Sequence, residues 1–397
     1  MNDIIIIGSG PTSLLTLLYL VIHMPYLKYT IISNSFNEFH CTYGVFMHHL
    51  KDSWIFNYLD KDKLITHIYN ISVKSPNEIN TNVKYGIIDN EYLYNAILKI
   101  IGNKPKFAEK KVLNISKIGQ SYFVKCHDKT TYTSRFVIEG TGKYGAIGVK
   151  YRDNYPLYKQ YFIGYKLKTK KNIDCSKCIL LDWTSNSNFK SFGYIIPYDK
   201  NTVLIEETVL STLSDVPCNY KMLEKLLHNR IKSFNDNDND NDNVEFIEKD
   251  SIPLNVNIPC FKQSKSFGIG QCGNIINHLS GYTISYNIAV IPEICNLIMK
   301  HNYNLEKVYK DFWTIKRRLL YTINIIGLHF MESLTKNELI EFHNYYFNTI
   351  VSKSNYNFNT MFLCNNYSII RFIFSFRHYI FLPKKLMCKI IKSVIMK

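Results

Sequence analysis

Ten residues near the N-terminus decide the fold, since residues 4–13 read Ile-Ile-Ile-Ile-Gly-Ser-Gly-Pro-Thr-Ser. Four consecutive β-branched residues are typical of a strand that is buried on both faces in a parallel sheet. Leucine dominates residues 14–20, as expected for a helix, and residues 29–32, Tyr-Thr-Ile-Ile, read as the next strand. A strand, a glycine turn, a helix and a strand make a βαβ unit, which predicts an α/β fold with right-handed crossovers.

The glycine turn of this unit predicts a dinucleotide ligand. Glycines at the turn let the backbone approach a pyrophosphate, which would lie on the N–H groups at the start of the helix. A serine replaces the third glycine of the usual pattern, and no acidic residue ends the second strand. A plain glycine turn in a non-binding α/β domain therefore stays as the alternative. The predicted cofactor-binding residues here are Gly8, Gly10, Pro11, Ser13 and Ser33.

Two further glycine clusters extend this prediction. Gly140 and Gly142 end a second apolar strand, and paired turns of this kind favour FAD over NAD. The third cluster precedes a helix, so that its N–H groups could face a flavin ring or a phosphate. Its predicted cofactor-binding residues are Gly268, Gly270, Gly273, Gly281 and Tyr282.

The residue pattern of the rest of the chain changes twice. Short β-rich stretches within residues 112–137 and 178–210 predict antiparallel sheet. The strict alternation of Asn and Asp over residues 235–243 predicts a solvated loop, and it lacks the Gly and Glu positions of an EF-hand calcium loop. From about residue 283 the apolar spacing becomes helical. The expected parts are a discontinuous FAD-binding domain of residues 1–75, 90–150 and 255–300, an antiparallel β substrate domain of residues 76–89 and 151–254, and a basic helical C-terminal cap of residues 301–397.

The charge of the chain points to an anionic partner. The formal net charge is +16, and residues 301–397 hold 14 Lys and Arg against 5 Asp and Glu. Basic residues such as Arg371, Arg377 and Lys384 alternate with apolar ones, which suits a helix at an anionic membrane surface. A helical cap with solvated lysines is the alternative, and a coding bias towards Lys and Asn would raise the charge without any such partner. No nucleic-acid-binding motif accompanies the charge, so we expect no specific nucleic acid.

Other features exclude several classes of protein. A chain of 397 residues, 46% of them hydrophobic, is neither a small disulfide scaffold nor globally disordered. The 10 cysteines occur without a preceding signal peptide, which predicts free thiols. Cys175 and Cys178 have metal-type spacing, but no second pair completes a zinc site, so we expect buried thiols and no metal. No apolar run is long enough to predict a transmembrane span.

Four separated blocks of sequence carry a resemblance to a known family. The first is the N-terminal glycine turn, and the second is Tyr-Gly-Val-Phe at residues 43–46. The third combines Leu-Leu-Asp-Trp at residues 180–183 with Leu-Ile-Glu-Glu-Thr at residues 204–208, and the fourth is the third glycine cluster. In these blocks the chain resembles the lycopene cyclase family of flavoproteins, which is related to geranylgeranyl reductases and aromatic hydroxylases.

The resemblance implies an isomerase that cyclises the end group of a linear carotenoid such as lycopene, without net redox change. It implies reduced FAD as cofactor and NADPH as the reductant. Glu206 is implied as the acid/base, and a carboxyl group in an apolar tunnel has the raised pKa that this role needs. Glu207 is the second predicted catalytic residue, although adjacent strand residues face opposite sides. The implied substrate-binding residues are Tyr43, Phe46, Asp182, Trp183, Tyr194 and Pro197.

Some residues depart from the family pattern. His48 and His49 stand where the family has an acidic pair, and Asn274 and His278 stand where it has Gly and Pro. We expect these histidines to be ordinary polar residues. A flavin-dependent monooxygenase or isoprenoid reductase, and a degenerate carotenoid-binding or lipid-binding protein without catalysis, are the alternative functions. The predicted location is peripheral, on the cytoplasmic side of a membrane.

Overall fold

The computed structural model describes residues 1–152, 155–170, 172–232, 244–351 and 384–395. Two β-sheets and a set of helices form the molecule. The Asn-Asp stretch predicted as a loop lies outside the described residues.

The first sheet has seven strands around the N-terminal strand. Its strands are β1 (Asn2–Ile7), β2 (Tyr29–Ser33), β6 (Lys106–Glu109), β7 (Val112–Ile118), β8 (Ser121–Cys126), β9 (Thr131–Glu139) and β15 (Phe267–Gly268). The order is β6-β2-β1-β9-β8-β7, with β15 also paired to β9. The pairs among β6, β2, β1, β9 and β15 are parallel, whereas β7, β8 and β9 pair antiparallel. The four isoleucines of β1 are buried, as predicted for a central parallel strand.

The second sheet has eight strands. Its strands are β3 (Gly44–Phe46), β4 (Ile65–Lys74), β5 (Glu78–Ile88), β10 (Tyr158–Lys168), β11 (Lys177–Asp182), β12 (Ser191–Pro197), β13 (Thr202–Leu213) and β14 (Val244–Pro253). The order is β14-β10-β13-β12-β11-β4-β5-β3, and all pairs except β11 with β4 are antiparallel. Two of these strands, β3 and β4, lie within residues 1–75, so this sheet takes in chain that we expected in the first domain. The division into domains stays a prediction.

The helices cover the faces of the sheets and form the C-terminal part. They are α1 (Pro11–His23), α2 (Lys61–Leu64), α3 (Asn90–Ile101), α4 (Tyr220–Lys232), α5 (Ile284–Lys300), α6 (Leu305–Phe312), α7 (Ile315–Ser333), α8 (Lys336–Tyr345) and α9 (Lys384–Ile395). Helix α1 packs between α3 and α5, and its leucines are buried. Among the described residues, no helix has both the length and the apolar character needed to cross a bilayer.

The C-terminal helix α9 docks on α7. Leu386 is fully buried, and two lysines pair with one carboxylate, Lys385 at 2.8 Å and Lys389 at 2.6 Å from Glu338. These contacts favour a packed cap for this helix. The basic residues Arg371 and Arg377, which contributed to the predicted membrane contact, lie outside the described residues.

Two apolar cores lie on opposite faces of the second sheet. The larger core fills the space between the sheets and helices, whereas the smaller core lies under α4. Strand β13 contributes to both because its side chains alternate. Ile205 belongs to the core under α4, and Leu204 belongs to the larger core. This alternation decides where the two adjacent glutamates of β13 point.

Candidate active-site cleft

A cleft of about 730 Å³ runs between the two sheets. The glycine turn after β1 and the turn after β9 line it from the first sheet. The face of the second sheet that carries Glu206 lines it from the other side. In open α/β sheets, ligands bind beyond the carboxyl ends of the parallel strands, and the glycine turns lie at that position.

The two glycine turns are in direct contact. Gly8 has φ +99°, and a Cβ at this position would lie 2.5 Å from the carbonyl oxygen of Gly140. A Cβ at Gly140 would in turn lie 2.1 Å from the Ser13 Oγ atom. Gly8 therefore requires glycine, a side chain at Gly140 would displace the Ser13 hydroxyl group, and Ser13 fills the small space that the third glycine of the usual pattern would leave open.

The start of α1 fits a dinucleotide pyrophosphate. Nothing lies within 4 Å of the Cβ position of Gly10, so the space beside the turn is open. Gly10 is the N-cap residue, and no side chain caps the helix there. The Ser13 Oγ atom is buried without a hydrogen-bond partner. Open space, uncapped N–H groups and an unpaired hydroxyl are what a bound phosphate would use.

The end of β2 and the neighbouring glycine turn supply hydroxyl groups to the cleft. The Ser33 and Ser9 Oγ atoms are 2.9 Å apart, and Ser9 Oγ also donates to the Ser35 carbonyl at 2.8 Å. Lys110 and Lys111 line the same region. We did not predict these two lysines from the sequence, where they follow the short strand β6 without any motif.

The third glycine cluster divides into lining and supporting residues. Gly270, Gly281 and Tyr282 line the cleft, as does Gly142 of the second turn. Gly268 and Gly273 are not part of the lining of the cleft. A Cβ on Gly268 would lie 2.7 Å from the Gly273 Cα atom. These two glycines therefore allow the two backbone segments of the loop to pack directly against each other.

A buried asparagine that we did not predict holds the third cluster in place. Asn287 is fully buried, and its side-chain oxygen accepts a hydrogen bond from the Gly270 N–H at 3.0 Å. Its amide group donates to the Ile275 and Thr283 carbonyl oxygens, both at 2.8 Å. No local motif marks this residue in the sequence, because its role depends on where α5 packs against the loop.

Glu206 projects into the cleft from β13 of the second sheet. The residue is partly accessible because it faces this open space, although it lies deep in the molecule. Burial, and after it the charges of Glu248 and Glu207, raises the pKa of Glu206 to about 8. The Thr208 hydroxyl group donates a hydrogen bond to one Glu206 carboxylate oxygen. A carboxyl group with this pKa is protonated at neutral pH and can act as an acid.

Glu207 points to the other face of β13. It is fully buried, accepts hydrogen bonds from Ser191 Oγ at 2.5 Å and Arg230 Nε at 3.0 Å, and is not part of the lining of the cleft. Arg230 also pairs with Asp182 at 2.8 Å. The predicted catalytic Glu207 and the predicted substrate-binding Asp182 are thus placed behind the sheet, where they hold α4. Because side chains alternate between the two faces of a strand, this placement does not support direct contact with a ligand in the cleft.

The predicted substrate-binding aromatic residues also divide. Tyr43 and Tyr194 line the cleft, whereas Phe46 is buried behind it with its ring 4.9 Å from that of Tyr282. Trp183 is buried against Phe192 and is not in the cleft lining.

Pro197 is likewise not in the cleft lining, and its carbonyl accepts a hydrogen bond from the Tyr69 hydroxyl group. Of the six predicted substrate-binding residues, the structure therefore brings Tyr43 and Tyr194 to the cleft.

Two acidic residues that we did not predict line the cleft beside Glu206. Glu248 and Asp250 lie two apart on β14 and so share one face of the sheet. One Glu248 carboxylate oxygen accepts hydrogen bonds from the Thr42 N–H at 2.8 Å and the Thr42 hydroxyl group at 2.6 Å, and Asp250 pairs with Lys143. The acid-x-acid spacing was visible in the sequence. What brings it to Glu206 is the pairing of β14 with β10.

The three singled-out histidines lie outside the cleft lining. Burial lowers the pKa of His49 to about 3, with a smaller effect from His48. Burial also lowers the pKa of His278 to about 3, and its ring nitrogens lie 3.1 Å from Asn274 Oδ1 and 3.3 Å from Asn324 Nδ2. His49 and His278 are therefore neutral at physiological pH.

The cysteine pair shows no metal-site geometry. Cys178 is buried, Cys175 is partly exposed, and burial raises the pKa of both thiols. Over the part of the chain that the structure describes, no three His, Cys, Asp or Glu residues are grouped so as to hold a metal ion.

Comparisons with known sequences agree with the resemblance. The family described as "Lycopene cyclase protein" matches residues 3–353. The lycopene beta cyclase of Solanum lycopersicum is 24% identical over 295 residues, which cover 66% of this chain and 56% of that protein. The capsanthin/capsorubin synthase of Citrus sinensis is 24% identical over 363 residues, covering 85% of this chain and 69% of that protein. The chain thus spans 56% to 63% of the length of the lycopene beta cyclases that it matches.

Comparisons with solved structures concern the fold. A geranylgeranyl bacteriochlorophyll reductase-like protein from Thermoplasma acidophilum has a TM-score of 0.68 at 12% identity, covering 92% of this chain and 96% of that chain. A putative FAD-containing monooxygenase from Photorhabdus luminescens has a TM-score of 0.54 at 13% identity, covering 84% and 99%. The predicted fold class is confirmed: an α/β fold of the Rossmann-type FAD-binding kind, with an antiparallel sheet and a helical C-terminal region.

Proposed function

The chain belongs to the lycopene cyclase family, and from that premise we propose that it is an FAD-dependent isomerase that closes a ring at the end of a linear carotenoid such as lycopene. The observation that carries the proposal is the position of Glu206. It faces the same cleft as the glycine turns and has a pKa of about 8.

The glycine turns are the proposed site of FAD. Gly8 and Gly10 would place the pyrophosphate at the start of α1, and Ser33 would meet the ribose. Gly140 and Gly142, with Gly270 and Gly281 of the third cluster, form the remaining wall. When bound in its reduced form, with NADPH as the proposed reductant, the flavin would supply an electron-rich surface beside a developing positive charge.

Glu206 is the proposed acid and base. Its proton would pass to an alkene carbon of the end group, which leaves a tertiary cation that the next double bond attacks. The carboxylate left behind would then remove a proton from the new ring, so that the proton is restored and no electrons are consumed. A group of pKa about 8 suits both directions of transfer near neutral pH.

Tyrosines beside Glu206 would shelter the cation. Tyr43, Tyr85, Tyr194 and Tyr282 line the cleft, and the Tyr85 and Tyr282 ring centroids are 6.0 Å apart. Burial raises the pKa of each of these hydroxyl groups, so the rings are neutral. The electron-rich faces of neutral aromatic rings attract cations, and water is excluded where the rings pack.

An anionic membrane surface is the proposed source of the apolar substrate, with the protein peripheral and on the cytoplasmic side. The support comes from α7. Ile315 and Leu319, one helical turn apart, are 71% and 47% exposed, and Lys316 lies beside them in a strongly basic part of the chain.

Expression in bacteria that accumulate lycopene tests the function directly. We expect pigment chromatography to show a carotenoid with at least one cyclic end, formed with less than stoichiometric use of NADPH. NADPH consumption that matches product formation would replace the proposal with the reductase or monooxygenase alternative. Flavin-containing protein that leaves lycopene unchanged would contradict it.

A further inference from the structure

Two glutamates flank a glycine across three neighbouring strands of the second sheet. Gly164 on β10 is in register with Glu206 on β13 and with Glu248 on β14. Residues in register on neighbouring strands lie on the same face of the sheet. Both glutamates line the cleft, so this shared face is the one that closes it.

Gly164 leaves the space between the two carboxyl groups free of a side chain. A Cβ at Gly164 would lie 3.2 Å from the Glu206 Cβ atom and 3.3 Å from its Cγ atom, closer than ordinary packing. With neighbouring strands about 4.8 Å apart, the Cα atoms of the two glutamates are about 10 Å apart, and their side chains can approach more closely over the glycine. The two carboxyl groups therefore interact electrostatically.

The environments of the two carboxyl groups differ, so that one of them ionises at lower pH than the other. Burial raises the pKa of Glu248 as well, but two hydrogen bonds from Thr42 stabilise its charged form and oppose that effect. Glu206 receives one hydroxyl hydrogen bond, and burial together with the Glu248 charge raises its pKa to about 8. When two carboxyl groups interact in this way, one ionises first and its charge holds the proton on the other.

The other ionisable groups around Glu206 do not provide the same charge. Glu207 has a smaller upward effect on the pKa of Glu206 than Glu248 has, since it lies behind the sheet and is paired with Arg230, and Asp250 is paired with Lys143. Burial raises the pKa of the Cys41 thiol and of the Tyr85, Tyr194 and Tyr282 hydroxyl groups, so these stay neutral. Glu248 takes part in none of the ion pairs that the described residues form.

We propose that Glu248 is a positioning residue of the site, whose carboxylate acts across Gly164 to keep Glu206 protonated until substrate arrives. The inference rests on the proposed function, because it concerns the acid of that reaction. It adds a second glutamate that acts through Glu206 and a glycine that sets the separation between them.

The test is an infrared titration of the purified flavin-containing protein without substrate. The C=O stretch of protonated Glu206 is identified as the band absent from Glu206→Gln. We expect it to titrate near pH 8 in the parent protein and about one pH unit lower in Glu248→Gln, since a like charge has been removed. Glu248→Asp, which keeps the charge, should titrate close to the parent.

Glu245→Gln is the matched control, because it removes an exposed carboxylate from the same strand. It should leave the titration unchanged, and Glu248→Met serves as a second charge-free variant if Glu248→Gln does not fold. An unchanged titration in the charge-free variants, or an equal fall in Glu248→Asp, would overturn the inference. The readout needs no substrate, so this failure is distinct from a failure of the pigment assay.

Discussion

At the scale of single residues, glycine decides what the cleft can hold. The structure separates two kinds of glycine that look alike in the sequence. Gly8 has a positive φ and no room for a Cβ, whereas Gly10 has φ −66° and open space around its Cβ position. Gly8 is needed by the fold of the turn. Gly10 is needed only if another molecule fills the open space.

Alanine substitutions at these two glycines test the proposed phosphate cradle. Gly10→Ala should keep the thermal stability of the parent but bind flavin at least about tenfold more weakly, because the new methyl group fills the phosphate space. Gly8→Ala should lose both flavin and stability, by about 1 to 2 kcal/mol for the backbone alone and more for the contact with Gly140. Flavin fluorescence and calorimetry measure both quantities. A Gly10→Ala protein with parent flavin affinity would contradict the placement.

At the scale of elements, local signals in the sequence predicted the start of the fold and part of the cleft lining. The β1-turn-α1 unit could be predicted from residues 4–20, because the isoleucine run, the glycine spacing and the leucines that follow are all local signals. The contribution of β14 could not be predicted, because Glu248 meets Glu206 only through the pairing of β14 with β10 and of β10 with β13. For the same reason, the sequence did not predict that β4 joins the second sheet. Nor did it predict the role of Asn287, whose contacts depend on helix packing.

The exposed apolar residues of α7 give a prediction for membrane contact. The parent protein should sediment with anionic phospholipid vesicles and less with zwitterionic ones, since the C-terminal quarter is basic. Ile315→Ser with Leu319→Ser should weaken sedimentation several-fold while leaving flavin content unchanged. As a control, Leu113→Ser removes a 47% exposed apolar residue from β7 of the first sheet. Equal sedimentation of the control and the α7 variant would exclude this helix as the contact.

At the scale of the whole molecule, the two sheets contribute different chemical groups to one cleft. The first sheet contributes glycine turns to the lining of the cleft, and the second sheet contributes carboxyl and tyrosine side chains. The alternation along β13 sends Glu206 to this cleft and Glu207 to the ion pair with Arg230. The sequence motif contains two adjacent acidic residues. The packing of the layers shows that Glu206 is the one that faces the cleft.

The central claim is that Glu206 carries the proton for ring closure, and the most direct test is cyclisation of lycopene by the purified, reduced flavoprotein across a pH series. In the parent we expect activity to be constant in the acidic range and to fall as pH rises through about 8, because the proton donor is then lost. Glu206→Gln should retain flavin and lose at least about a hundredfold in rate at every pH, whereas Glu245→Gln should behave as the parent. Cyclisation by Glu206→Gln at the parent rate, with the same pH profile, would contradict the account.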